Sequence, residues 1–245
     1  MHPLKHKANE LSVVARKRFD LNLIESVNIY KAFLLEEISC IKRPMRGSIS
    51  GIFLKADKTT VILINSSKSL GHQNFTAAHE LYHCLFEPEL EGRVCFTGNF
   101  NNKDEQELLA DYFASLFLMP EQGIWHYLYK RVKDVHKIQM SDIIYLEQLY
   151  GVSHKAMLIK LRQLGIISEN QLAGFSENII QSAKVYGYDQ TLYLPTNEES
   201  IISDFAEKAR KALDNDLITF SRYEELLYNA GLEHILSPEV QDFVD

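Results

Sequence analysis

The feature that most constrains this chain is one stretch, Phe75-Thr-Ala-Ala-His79-Glu80-Leu-Tyr-His83-Cys-Leu-Phe86. On a helix, residues four apart lie one above the other, so His79 and His83 face the same way with Glu80 beside them. Two imidazoles on one face can hold a zinc ion. The neighbouring carboxylate is then placed to take a proton from a water on the metal, a step that peptide hydrolysis needs. Three fixed positions in five are a weak signal alone, and two satisfied core histidines are the competing reading, so context decides. Phe75, Ala78, Tyr82 and Leu85 make an apolar stripe at helical spacing, and Pro88 supplies a stop soon after Phe86. The expectation is a half-buried helix whose histidine face is turned to something other than the core.

A catalytic zinc usually has three protein ligands and one open position, so a third must come from elsewhere. Downstream the chain reads Asn101-Asn-Lys-Asp-Glu-Gln-Glu107-Leu-Leu-Ala-Asp111-Tyr-Phe-Ala-Ser-Leu-Phe-Leu-Met-Pro120. Asn102 can cap a helix with Asp104 and Glu105 in its first turn, Leu109, Tyr112, Phe113, Leu116 and Phe117 on its core face, and Pro120 at its end. Glu107 and Asp111 share a second face. That spacing suits a carboxylate ligand and, one turn on, a carboxylate that accepts a hydrogen bond from the free ring N–H of a ligating histidine. The metzincin arrangement would want Gly at 86 and His at 89, where this chain has Phe86 and Glu89. Glu87, Glu89 and Glu91 lie too near the end of the first helix to swing back easily, and Glu105 sits roughly 160° round the second helix from Glu107. Glu107 is therefore favoured, although without the upstream motif it and Asp111 would read as a solvated helix face.

Phe75-Thr-Ala-Ala-His79-Glu80-Leu-Tyr-His83, followed by Glu107-Leu-Leu-Ala-Asp111-Tyr-Phe-Ala-Ser-Leu-Phe-Leu-Met-Pro120, resembles the ImmA/IrrE family of metallo-endopeptidases. The run ending Leu118-Met119-Pro120 is the most specific part, because zinc chemistry alone does not require it. By matching position, the resemblance implies His79, His83 and Glu107 as ligands to Zn2+, Glu80 as general base and Asp111 as the residue that orients a ligand. It also implies a DNA-binding repressor or an antitoxin as the protein substrate. Tyr82 stands where the family often has Gly, and Asp111 where it often has Asn; neither change removes a ligand. The similarity covers about residues 50 to 165 and weakens in the tail.

The implied fold class is α+β: a zincin-like metalloprotease domain, with a small sheet and the His-Glu-x-x-His helix, followed by a mostly helical C-terminal region. The expected divisions are residues 1–130, 131–175 and 176–245. A chain of 245 residues with 46% hydrophobic content can bury one large core or two smaller ones. No apolar run approaches the length of a membrane span, and Met1-His-Pro-Leu-Lys-His-Lys is too polar for a signal peptide, so a cytoplasmic protein with no membrane partner is expected. Cys40, Cys84 and Cys95 lack a framework spacing and read as reduced thiols, with Cys84 pointing away from the metal. The net charge of −7 argues against general attraction to nucleic acid. Residues 166–245 carry five Lys or Arg against fifteen acids, an acidic tail suited to docking a basic regulator.

Residues 7–37 show two helical patterns, with Asp20 or Asn22 as the cap between them. Residues 38–42 read as a strand, and residues 48–55 and 59–65 as a hairpin across Ala56-Asp57-Lys58, whose edge could accept an extended substrate. Residues 94–96 suggest a further short strand. His126, Tyr127 and Tyr129, on a helix after Pro120, could reach the cleft. Residues 141–165 form a helix-turn-helix pattern about Gly151 and Ser153, with Lys155, Lys160 and Arg162 on the second helix. The segment's weak positive charge favours a subdomain packed on the protease over a DNA reader. A final helical hairpin is expected over about 199–214 and 219–230. The rival readings of the whole chain are a non-proteolytic zinc-binding toxin or antitoxin partner, against which an intact Glu80 argues, and a DNA-binding regulator acting through residues 141–165.

Overall fold

The computed structural model describes residues 3–57, 59–97 and 104–236. It forms two compact units, Met1–Ile201 and Ile202–Asp245. The expected α+β architecture is present. Strands β1 (Ile38–Arg43), β2 (Gly51–Ala56), β3 (Thr59–Asn65), β4 (Gly92–Cys95) and β5 (Ser200–Ile202) make one sheet in the order β4-β2-β3-β1-β5. β2 and β3 are the expected antiparallel hairpin, in register from Gly51 opposite Ile64 to Ala56 opposite Thr59. Asp57 makes the turn in the left-handed region, at φ 51°; Lys58 lies outside the described residues.

Neither long edge of that hairpin is open. β2 is covered by β4 and β3 by β1, so among the described residues the edges of the sheet are β4 and β5, and β4 is the one next to the hairpin. Alternation puts Phe53, Ile62 and Ile64 at 0% exposure on the inner face of the sheet. Helix α1 (Pro3–Arg18), helix α2 (Ile29–Leu35) and helix α3 (Leu70–Phe86) precede α4 (Glu105–Leu118). α3 packs on β2, β3 and α4, while α1 covers α4. With neighbours on so many sides, α3 buries every residue from Phe75 to His83, the histidine face included. The apolar stripe marks only half of that burial, because periodicity does not show what covers the histidine face.

Other departures have local causes. The second N-terminal helix starts at Ile29, capped by the Asn28 side chain, and not near residue 22. Asn22 Oδ1 accepts from the backbone N–H groups of Ile24 and Glu25, and buried Arg16 donates to the carbonyls of Asn22, Glu25 and Phe117. Those bonds give the loop backbone partners that a helix would otherwise supply. α4 is capped by Asp104, whose Oδ1 accepts from Glu107 N at 2.9 Å, while Asn102 lies outside the described residues. Residues 200–202 are β5, where the final helical pattern had been started too early.

α5 (Glu121–Arg131) leads into α6 (Met140–Tyr150) and α7 (His154–Gln163), joined by left-handed Gly151 (φ 63°) and the Ser153 cap. This turn is seated on the start of α3. Asn74 Nδ2 donates to Gly151 O at 2.8 Å, and a Cβ on Gly71 would stand 2.5 Å from Ser153 N, so only glycine permits the approach. Two of the three cations of α7 are engaged: Lys160 is buried against Glu121, and Arg162 pairs with Glu169, while Lys155 is exposed. In the second unit α8 (Glu169–Phe175) and α9 (Ile179–Val185) have no part; it contains α10 (Phe205–Asp214) and α11 (Phe220–Asn229), which pack as the expected hairpin around Ala209, Tyr223 and Leu227. Among the described residues no helix is long and apolar enough to cross a membrane.

Candidate metal centre

α3 and α4 bring His79, His83 and Glu107 together. His79 Nε2 lies 3.2 Å from His83 Nε2 and 3.5 Å from Glu107 Oε2, and His83 Nε2 lies 3.3 Å from Glu107 Oε1. Each ring turns its other nitrogen to a carboxylate: His79 Nδ1 is 2.9 Å from Asp111 Oδ1, and His83 Nδ1 is 2.8 Å from Glu87 Oε2. A carboxylate accepts, so both Nδ1 atoms carry hydrogen, and both Nε2 atoms of neutral rings direct lone pairs at one point. Two lone pairs and a carboxylate converging without a cation repel one another; a metal ion removes the conflict. Burial works against a charged His79, but Asp111 and Glu107 outweigh it and push its pKa up to about 9. Glu107 is moved well below the usual carboxylate range, since the two imidazoles overcome the effect of its burial.

Glu80 has 0% exposure, and its Oε1 has no hydrogen-bond partner within the protein. Burial raises its pKa, against the opposing pull of His79 and His83. Its place depends on a glycine in the neighbouring strand: a Cβ on Gly51 would lie 2.6 Å from Glu80 Oε1 and 2.7 Å from Thr76 Cγ2. Tyr82, the bulky residue behind the metal face, is accommodated between the two helices. Its hydroxyl donates to Gln106 Oε1, and its ring packs on Phe86, Phe113 and the ring of His83.

His79, Glu80, His83, Glu107 and Asp111 lie in this one cluster, and four more residues join it. Cys95, read only as a reduced thiol, places Sγ 3.9 Å from His83 Nε2, 3.8 Å from Glu107 Oε1 and 3.5 Å from Glu80 Oε2. With His79, His83 and Glu107 it forms a group whose ligand atoms all lie within 4.8 Å of one another. Arg93 Nη1 donates to Glu107 Oε1 at 3.1 Å. Glu87 supplies the carboxylate for His83, and Gly51 the space for Glu80. Glu87 stands four residues after His83, the same spacing that had marked Asp111 after Glu107, so the sequence did hold that signal. Arg93, Cys95 and Gly51 are brought in by strand pairing, and nothing near the motif announces them. His126 and Tyr127 pack on each other and Tyr127 on Tyr145 and Tyr150, while Tyr129 stacks on Trp125 at 67% exposure; these rings serve α5 and α6, not the cluster.

A small sheet backed by a helix carrying His-Glu-x-x-His, with a carboxylate from the next helix, is the build of a zincin-like metallopeptidase. The sequence model for the IrrE N-terminal-like domain, Peptidase M78, matches residues 38–162, just over half of the chain, and the chain belongs to that family. Membership implies a metallopeptidase of the IrrE/ImmA type acting on a protein substrate. A search of the curated proteins finds no match.

Proposed function

We propose that the chain is a zinc-dependent endopeptidase, working in the cytoplasm, that cuts a DNA-binding repressor or an antitoxin and so releases the genes it silences. The observation that carries the reading is the convergence of two Nε2 lone pairs and the Glu107 carboxylate beside a buried, unpartnered oxygen of Glu80. His79, His83 and Glu107 would hold the ion, and imidazole and carboxylate donors with a thiol nearby suit zinc better than magnesium or calcium. Bound there, zinc would supply Lewis acidity, easing loss of a proton from water and polarising the scissile carbonyl. Glu80 takes that proton and returns it to the leaving amine; a carboxylate whose pKa is raised by burial suits both transfers. Asp111 and Glu87 fix each imidazole with its lone pair toward the metal, and Arg93 steadies Glu107.

The open edge of β4 runs beside this cluster and would pair with the extended substrate. The acidic tail supports a basic partner, and the engagement of Lys160 and Arg162, two of the three cations of α7, favours cleavage of a regulator over direct DNA reading. The test is to mix the protein with a neighbouring regulator and follow intact mass. Wild type should cut it, whereas Glu80→Gln should keep about one zinc per chain and lose cleavage. Full zinc affinity in a His79→Ala, His83→Ala double variant would refute the metal assignment.

A further inference from the structure

We propose that Cys95 is a fourth metal ligand that closes this centre at rest, making the chain a latent peptidase whose thiolate must leave before water can enter. The inference rests on the zinc reading above. Side chains alternate along β4, and burial follows: Arg93 is half-buried and Cys95 fully buried, with exposed residues between and before them. Strand pairing opposite Gly51 then brings Sγ to the mouth of the His79, His83 and Glu107 group.

The distances decide between a packing thiol and a ligand. Zinc bonds of about 2.0–2.1 Å to nitrogen or oxygen and about 2.3 Å to sulfur give tetrahedral edges of about 3.3 Å between N or O corners and about 3.6 Å from S to N or O. The two Nε2 atoms are 3.2 Å apart, Glu107 meets them with separate oxygens, Oε1 3.3 Å from His83 and Oε2 3.5 Å from His79, and Sγ lies 3.9 Å from His83 Nε2 and 3.8 Å from Glu107 Oε1. The nitrogen edge and the His83–Glu107 edge are thus already at tetrahedral spacing, two sulfur edges exceed it by only about 0.3 Å, and the ligand atoms of all four residues lie within 4.8 Å of one another. Four protein ligands make a closed site, whereas catalytic sites keep one position open. The same sulfur is 3.5 Å from Glu80 Oε2, so it stands between the proton carrier and the place a water would occupy. Metal binding displaces the thiol proton to solvent. A peptide pairing along β4, the strand that carries Cys95, is placed to displace the thiolate.

Cobalt(II) substitution reads the ligand directly, because a thiolate on cobalt gives an intense charge-transfer band in the near ultraviolet that imidazole and carboxylate do not. Stoichiometrically loaded wild type should show the band. Cys95→Ser should lose it while still binding cobalt, with zinc affinity weaker by at least about tenfold, the scale on which such centres respond to loss of a supporting group. A Cys40→Ser, Cys84→Ser variant, in which Cys95 is the sole thiol, should keep the band and carries the test if Cys95→Ser does not fold. Hydrolysis of an unstructured protein such as casein should rise in Cys95→Ser and stay absent when Glu80→Gln is added. Loaded wild type without the band, or a band unchanged in Cys95→Ser, overturns the fourth ligand and leaves the zinc reading standing. Failure of wild type to bind zinc or cobalt overturns both.

Discussion

Gly51 is a test of the site that replaces no ligand and no reacting group. Its Cα faces Glu80, and an added Cβ would stand 2.6 Å from Oε1, 2.7 Å from Thr76 Cγ2 and 3.2 Å from the Leu63 carbonyl. Reaching ordinary contact near 3.4 Å requires Glu80 or the strand to yield by about 0.8 Å. Glu80 and Thr76, the two nearest of these, belong to α3, which is buried against β2, β3 and α4, so the carboxylate end is the part that can give. A displacement of about 1 Å in a reacting group costs on the order of a hundredfold in rate. Gly51→Ala should therefore keep its zinc, lose about 1–3 kcal/mol of stability to overpacking, and cleave roughly 10–100-fold more slowly. Gly92→Ala is the control from the same sheet, since its Cβ would meet only Leu54 Cδ2 at 3.4 Å and Phe53 O at 3.5 Å. Metal content, thermal melting and peptide hydrolysis should be measured on both. Undiminished cleavage by a folded, zinc-loaded Gly51→Ala protein would refute the placement of Glu80 as proton carrier.

Asp111→Ala and Glu87→Ala should each weaken zinc binding by about 10–100-fold in chelator competition, because each frees one imidazole to rotate or change tautomer; equal affinity to wild type would show that the rings are held by packing alone. Lys160, at 1% exposure, has its pKa lowered by burial to about 8 despite Glu121 at 3.2 Å. A lysine with a depressed folded pKa contributes stability above its unfolded value near 10.5 that is lost as pH falls through about 8, so at pH 7 the buried charge costs up to about 3 kcal/mol. Lys160→Met should raise the melting temperature by a few degrees at pH 7 and leave little gain above pH 10; Glu121 remains half-exposed and paired with Lys5. In the tail, Glu198 is bonded to Lys42, and many helix acids are already in i,i+4 pairs, so Glu199, Asp216 and Glu224 are the acids to reverse. Changing these three to Lys should slow cleavage of a basic regulator, mainly below about 0.1 M salt, where exposed charges act beyond about 10 Å; an unchanged rate and salt dependence would show that the tail does not dock the substrate.

Sequence by itself determined the parts of this protein whose geometry is local. A helix turns through about 100° per residue whatever surrounds it, so His79 with His83 and Glu107 with Asp111 were paired by spacing alone. The β2–β3 hairpin, the α6–α7 turn about Gly151 and the α10–α11 hairpin were legible for the same reason: each joins neighbours in the chain through short turns with recognisable residues. Only the tertiary structure decided what comes from afar. It set β4 against β2, which carried Arg93 and Cys95 to the metal group and put Gly51 under Glu80. It also buried the histidine face of α3, whose surroundings periodicity left open, since a polar residue reads alike whether it meets solvent or a buried partner. Strand pairing is specified by contacts between distant segments, and no spacing within either segment records which partner it will meet.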